Sequence, residues 1–351
     1  MTTPVPGHSL NPARQLLTFL GQHRAELSPL LILTHDYPDP DALAAAMALE
    51  YLAEQKFGIV AKIAYGGVIG RMENRAMVQI LKIPVHRLRP AWFKQYRQVA
   101  LVDTQPSFEN NCFPKTRRAT LVIDQHAATD VPAADLALID TECGATSVIV
   151  AQALLEAGME IPAPVATALA YGIVSDTLDL YRARRKDVID TYLAVLPYAD
   201  MIALARIQNP PRARSFFMTL SRGISAAVGV RQVIVSHLGS VGETDLVSLV
   251  ADFLLTYRRA RWIMCTGRYK GRLYVSLRSS NQNAPAAEVL RSLFENPKHA
   301  GGHGPIAGGS FRVGLATADE AWQQIEQELQ GRLGRRLRLP ARAEFRKIFT
   351  G

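Results

Sequence analysis

The chain has 351 residues, 48% hydrophobic and 20% charged, which suits an ordinary soluble globular protein long enough for two domains. No apolar run approaches a membrane span, the segment LTFL near residue 17 is too short for a signal-peptide core, and Cys112, Cys143 and Cys265 are too scattered for a disulfide framework or zinc knuckle and fit a reducing cytosol. The net charge is +9, but the last segment from Gly331 holds seven Arg/Lys against one Glu and so carries +6 of it, leaving a nearly balanced body that charge alone does not make a nucleic-acid binder.

After a leader, the periodicity predicts a helix over about Pro12–Leu27, with Leu16, Leu17 and Leu20 on one face. The stretch LILTHDYPDPDALAAAMALEY, Leu31–Tyr51, follows as a short apolar strand, a polar loop and an Ala-rich helix starting near Asp41. His35, Asp39 and Asp41 fall in that loop, where one imidazole and two carboxylates suit a divalent metal. An Asp at a helix start also caps free N–H groups, so this stretch alone leaves capping and metal binding evenly matched.

Gly58–Tyr65 alternates like a strand, Asn74–Leu81 reads as a helix, and QVALVD forms a strand ending at Asp103. The turn-rich segment TQPSFENNCFP leads to the strand Thr120–Ile123, which ends at Asp124, Gln125 and His126. Three apolar strands thus end in acidic or histidine-bearing loops. Strands alternating with helices imply a mainly parallel sheet whose carboxyl ends share one edge, so these residues can converge on a metal or phosphate site.

Helices are predicted over Cys143–Leu155, Val165–Tyr171 and Lys186–Leu196, and GIVSDT puts Asp176 at a fourth comparable strand end. Two adjacent prolines among arginines mark a linker over 198–215. Beyond it, Ile224–Val230 pairs with Arg231–His237, Asp245–Leu255 is a helix, Trp262–Thr266 pairs with Leu273–Arg278, and Ala286–Phe294 is a helix. The stretch HAGGHGPIAGGSF then centres on His303, with Gly301, Gly302 and Gly304 beside it. Glycines allow close backbone approach and clustered N–H groups bind anions, while a flexible loop is the equal alternative.

Taken in order, these segments resemble the DHH phosphoesterase superfamily, in particular its bacterial two-domain members with a DHH-associated second domain, such as oligoribonucleases that also dephosphorylate phosphoadenosine phosphate. The matches are His35, Asp39 and Asp41, then Asp103 in VDTQP, Asp124-Gln125-His126, Asp176 in SDT, Arg278 in SLRSS, and GGHGPIAGG around His303, together spanning about residues 30–315. The resemblance implies an α/β fold: a parallel-sheet DHH domain with flanking helices over 1–197, the linker 198–215, a smaller α/β associated domain with a mixed sheet over 216–330, and a basic tail over 331–351.

It further implies two manganese ions, one held by His35, Asp39 and Asp103, the other by Asp41, Asp103, residue 125 and Asp176. The family has His at position 125; Gln125 here offers only a neutral amide, so the second ion is expected to bind more weakly. Asp124 would orient a neighbouring ligand, His126 would face the substrate phosphate, and Arg278, His303 and the glycines 301, 302 and 304 would hold a terminal phosphate. The implied activity is cytoplasmic hydrolysis of phosphate esters or diesters of nucleotides or short single-stranded oligonucleotides by metal-activated water. A nucleotide-binding sensor with little or no activity and a cyclic-dinucleotide phosphodiesterase are the alternatives; a homodimer is compatible with the resemblance.

Overall fold

The computed structural model describes residues 11–128, 130–340 and 344–350, and of His303 the backbone alone. The fold is α/β and divides into two compact units, Met1–Pro210 and Pro211–Gly351.

The first unit begins with α1 (Pro12–His23), capped by the Asn11 side chain on the N–H groups of Ala13 and Arg14. There follow β1 (Leu30–Thr34), α2 (Pro40–Phe57), β2 (Ala61–Tyr65), α3 (Met72–Leu81), β3 (Val85–Arg87), α4 (Trp92–Gln95), β4 (Gln98–Val102), β5 (Ala119–Asp124) and β6 (Ala134–Ile139). Then come α5 (Thr146–Glu156), α6 (Ala163–Thr177), α7 (Lys186–Val195) and α8 (Met201–Gln208). The six strands form one sheet in the order β3-β2-β1-β4-β5-β6, every neighbouring pair parallel. All residues of β1 and β5 are buried, which explains why they read as unbroken apolar runs.

Chain order reverses between β1 and β4. Such a sheet leaves a crevice outside the carboxyl ends of the two strands at the reversal, and ligands bind there. His35 follows β1 directly and Asp103 follows β4 directly, so both strand ends feed one crevice. The run Ala42–Leu49 of α2 is buried throughout; its small side chains let α5 and α6 pack close against it. At the tightest point Gly172 of α6 has no side chain, and a Cβ there would lie 2.8 Å from that of Ala44 and 3.1 Å from the Pro40 carbonyl oxygen.

The second unit contains α9 (Arg214–Ala226), β7 (Val228–Val230), β8 (Val233–Ser240), α10 (Asp245–Leu255), β9 (Trp262–Tyr269), β10 (Arg272–Ser279), α11 (Ala286–Leu293), β11 (Ala300–His303), β12 (Ile306–Arg312), α12 (Asp319–Arg336) and β13 (Arg346–Lys347). Its sheet runs β11-β12-β10-β9-β8-β7-β13 and is mixed: β8 and β9 are parallel, the remaining pairs antiparallel.

Four expectations differ from the structure. The boundary between the two units, after Pro210, falls within the segment 198–215, but this segment is not open throughout: it holds α8, which packs on α3 and α6 of the first unit and buries Ala203, Leu204 and Ile207. The strand expected from Ile224 is the end of α9, whose Leu220 and Ile224 fall on one helical face against the core; β7 is only three residues long. Helix α6 continues to Thr177, so Asp176 sits in the last turn of a helix and not at a strand end. The basic stretch from 331 is not wholly a free tail: α12 extends into it as far as Arg336, burying Leu333, and β13 pairs with β7. Among the described residues no single helix is long and apolar enough to cross a membrane.

Candidate functional site

The loop after β1 is held in place on both sides. The Asp36 N–H donates to the Asn110 carbonyl at 2.7 Å, and the Gly67 N–H donates to the Asp36 carbonyl at 2.8 Å. A Cβ on Gly66 would collide with the Asp36 carboxylate and the Cys112 sulfur, so only glycine lets β2 exit this close. Asp39 ends the loop as N-cap of α2, its Oδ1 accepting from the Ala42 N–H at 3.0 Å, with Pro40 opening the helix. Asp103 follows β4 with φ +58, in the left-handed region that Asp tolerates better than most side chains, and this turn aims its carboxylate into the crevice.

Two groups of metal-ligating side chains result, and Asp103 belongs to both. In the first, His35 Nε2 lies 3.5 Å from Asp103 Oδ2 and 4.0 Å from Asp39 Oδ1. In the second, His126 Nδ1 lies 3.6 Å from Asp103 Oδ1 and 2.8 Å from Asp124 Oδ1. The latter distance is that of an N–H···O hydrogen bond, and Asp124 is fixed further by the Gln105 amide, which donates to its Oδ2 at 2.8 Å. The ring of His126 thus presents Nδ1 to the carboxylates and keeps Nε2 for whatever enters the crevice.

Asp41 is fully buried. Its two oxygens accept the N–H groups of Thr146 (2.6 Å) and Ser147 (2.9 Å), the first turn of α5, where free N–H groups favour an anion. The Thr146 hydroxyl donates to Asp103 Oδ1 at 2.8 Å. At the end of α6, Asp176 accepts a short hydrogen bond from the side-chain amide of Gln125. Of the expected residues, His35, Asp39 and Asp103 form one open group, and Asp124 with His126 forms a hydrogen-bonded pair beside it. Asp41, Gln125 and Asp176 complete no third ligand group among the described residues.

The electrostatics call for a counter-charge. Burial, followed by repulsion from Asp103, Asp176 and Asp39, holds the Asp41 carboxyl well above its ordinary range. Burial and then the charges of Asp39 and Asp103 push Asp176 up to about 7. Burial also raises Asp103, against the pull of its bond to His35. Burial opposes the charge on His35, but its bonds to Asp103 and Asp39 prevail and raise it to about 10. A divalent cation among His35, Asp39 and Asp103 would replace that proton and relieve the same repulsion, and mixed N/O ligation suits manganese.

Arg278 lies on β10 in the second unit. Its Nε donates to Asp252 Oδ1 at 2.5 Å and its Nη1 to the Leu277 and Ala307 carbonyls at 3.1 Å, so the fork expected to grip a phosphate bidentately is largely engaged, and Nη2 makes none of these bonds. Arg278, Tyr274, Ser276, Gly302, Gly308 and Gly309 border a groove of about 540 Å³. The Ser276 hydroxyl there is buried without a hydrogen-bond partner among the described residues. Gly302 must be glycine, since its φ is +144 and a Cβ would meet the Ile306 carbonyl. Gly301 lies on β11 and Gly304 in the turn after it, neither bordering the groove, and the His303 side chain is outside the described residues.

Thr146, Ser147 and Gln105 have no part in the site expected from the sequence. The signals were a Thr-Ser pair opening an apolar helix and an amide two residues beyond Asp103; what they touch depends on contacts distant in sequence.

Residues 29–173 match the family model described as DHH family, N-terminal domain. An uncharacterized protein of Methanocaldococcus jannaschii is 32% identical over 305 residues, 86% of this chain and 62% of that protein. A probable manganese-dependent inorganic pyrophosphatase of Streptococcus pyogenes is 27% identical over 154 residues, 43% of this chain and 49% of the relative. The chain thus spans between about half and two thirds of the length of these relatives. Among solved structures, an exopolyphosphatase-related protein from Bacteroides fragilis superposes with TM-score 0.72 at 14% identity, covering 95% of this chain and 100% of that one. RecJ from Thermus thermophilus, solved with Mn2+, superposes with TM-score 0.55 at 16% identity, covering 96% of this chain and 56% of that one. Residues 29–173 thus carry a DHH family N-terminal domain, and His35, Asp39, Asp103, Asp124 and His126 all lie within it.

Proposed function

We propose that this chain is a metal-dependent phosphoesterase that hydrolyses phosphate esters or diesters of nucleotides or short single-stranded oligonucleotides. The observation that carries the reading is the position of Asp103, one oxygen turned to His35 and the other to His126 and Thr146. A metal-binding edge and a hydrogen-bond-donating edge therefore meet at one carboxylate. The manganese dependence named for the streptococcal relative supports manganese as the ion.

His35, Asp39 and Asp103 would hold the ion, which when bound supplies hydroxide from water near neutral pH and offsets charge on phosphoryl oxygens. Thr146 fixes the Asp103 carboxylate so that its Oδ2 edge faces His35. Asp124, steadied by Gln105, keeps a proton on His126 Nδ1 and favours the charged ring, leaving Nε2–H to donate to a non-bridging phosphoryl oxygen. Asp41 anchors the first turn of α5 and with it the Thr146 hydroxyl. In the second unit, Arg278 Nη2, the Ser276 hydroxyl and the glycine-lined groove offer donors suited to a terminal phosphate, which supports a nucleotide-like substrate.

The test is release of phosphate or mononucleotide from phosphoadenosine phosphate, a linear diguanylate, a short oligoribonucleotide, a cyclic dinucleotide and pyrophosphate, with manganese or with chelator. Manganese-dependent turnover of a nucleotide substrate is expected. Turnover of pyrophosphate alone would replace the substrate class. Nucleotide binding without turnover of anything in the panel would make the chain a sensor.

A further inference from the structure

We infer that this centre holds one metal ion per chain, and that the Gln125–Asp176 pair closes the position at which a second ion would share Asp103. The inference rests on the reading of the site as a metal centre and addresses its stoichiometry.

A second ion on Asp103 has two places to go, and side chains close both. The first lies among Asp41, Gln125 and Asp176. There the Gln125 amide donates its N–H to Asp176, which turns a donor, not an acceptor, toward the position and occupies the carboxylate with it. Asp41 has each oxygen committed to a main-chain N–H, of Thr146 at 2.6 Å and Ser147 at 2.9 Å. Drawing Asp41 toward an ion would leave these buried N–H groups of α5 without their acceptor.

The second place lies between Asp124 and His126. Their facing atoms are 2.8 Å apart in a hydrogen bond, and the other Asp124 oxygen accepts from Gln105 at 2.8 Å. Among the described residues, His35, Asp39 and Asp103 stand farther apart than either of these pairings, with His35 Nε2 3.5 Å from Asp103 Oδ2 and 4.0 Å from Asp39 Oδ1. Ligands bound at about 2.0–2.2 Å around one ion stand roughly 3–3.5 Å apart, so this group closes on an ion with small side-chain movement.

An imidazole at 125 would behave differently. It can present a ring nitrogen lone pair to the ion while Asp176 remains a ligand, whereas an amide offers only a weakly donating carbonyl oxygen and gains more by bonding to the carboxylate. Position 125 therefore sets the number of ions.

The test uses the full chain, stripped with chelator, reloaded with manganese and desalted, with manganese per chain measured by elemental analysis and the spin state by low-temperature electron paramagnetic resonance. We expect one equivalent and the spectrum of an isolated ion. Gln125→His should add a second equivalent, with second-site affinity tighter by ~10–100-fold and an exchange-coupled signal. Asp176→Asn should keep the single equivalent. Two tightly held equivalents in the wild-type chain would overturn the inference, as would Gln125→His remaining at one or Asp176→Asn losing the ion. If Gln125→His does not fold, the wild-type stoichiometry and Asp176→Asn decide alone. Phosphate release measured on the same samples separates the two claims: one bound ion without hydrolysis contradicts the proposed function only, and hydrolysis with two bound ions contradicts the stoichiometry only.

Discussion

The hydroxyl of Thr146 donates to Oδ1 of Asp103 at 2.8 Å, tying the first residue of α5 to the carboxylate shared by both ligand groups. The Thr146 hydroxyl and the Asp103 carboxylate both belong to buried residues, so the bond limits how Asp103 can turn. Thr146→Val keeps the shape and removes the donor, leaving a buried carboxylate oxygen short of a partner. It should cost about 1–3 kcal/mol of stability and weaken manganese binding by ~10–100-fold, while Thr146→Ser retains most of both. Manganese titration of the two variants checks this; equal losses in both would assign the effect to packing.

Asp41 should act mainly on stability. In Asp41→Asn one carboxylate oxygen becomes an NH2 group facing the N–H of Thr146 or Ser147, two donors in a buried place. A loss of about 1–3 kcal/mol is expected, which at ~2–4 °C per kcal/mol for a unit of this size is readable by thermal unfolding. An unchanged midpoint would show that α5 does not depend on this anchor.

Gly172 permits the close approach of α6 to α2, and Gly172→Ala would force its new methyl against Ala44 and the Pro40 carbonyl. The cost should be about 1–3 kcal/mol, with weaker manganese binding because α2 begins at the Asp39 cap. A variant as stable as the parent would mean that the helices part without penalty.

The metal-free protein should be least stable at high pH. His35 titrates near 10, since Asp103 and Asp39 outweigh the opposing effect of burial, and His126 near 9, raised first by its bond to Asp124. Both lie above 6.5, the ordinary imidazole value, so their contribution is fully present below about pH 6.5 and is lost as pH rises through 9 to 10. Asp176, raised from 3.8 to about 7 by burial and its acidic neighbours, adds a loss across that lower window. Manganese requires neutral His35, so its affinity should rise with pH and flatten the profile. Melting curves from pH 5 to 9.5 with and without manganese check this; a metal-free protein that gains stability toward pH 9 would contradict it.

Much of this centre is legible in the sequence because β1, β4 and β5 are buried on both faces and read as plain apolar runs, so their polar ends stand out at His35, Asp103 and Asp124. Asp176 was also found, but on the wrong kind of element: α6 is buried nearly all round, and such a helix shows no periodicity to separate its end from a strand. The stretch 198–215 looked like a linker because prolines and arginines dominate it, whereas α8 is held by a few apolar side chains against α3 and α6. The charges from 331 looked like a tail because composition hides phase: Trp322, Leu329 and Leu333 share a helical face, and the arginines take the others. The Gln125–Asp176 bond was beyond reach, since nothing local tells an amide replacing an imidazole to turn its N–H toward a carboxylate 51 residues away.

The most direct test of the account is Asp103→Asn, a substitution that suits the left-handed backbone of this residue better than Ala would. Turnover of the best nucleotide substrate with saturating manganese should fall by at least ~1,000-fold, and manganese should no longer be retained, while the thermal midpoint of the metal-free protein stays within a few degrees of the parent. Manganese-dependent turnover near the wild-type rate in a folded Asp103→Asn protein would contradict the account.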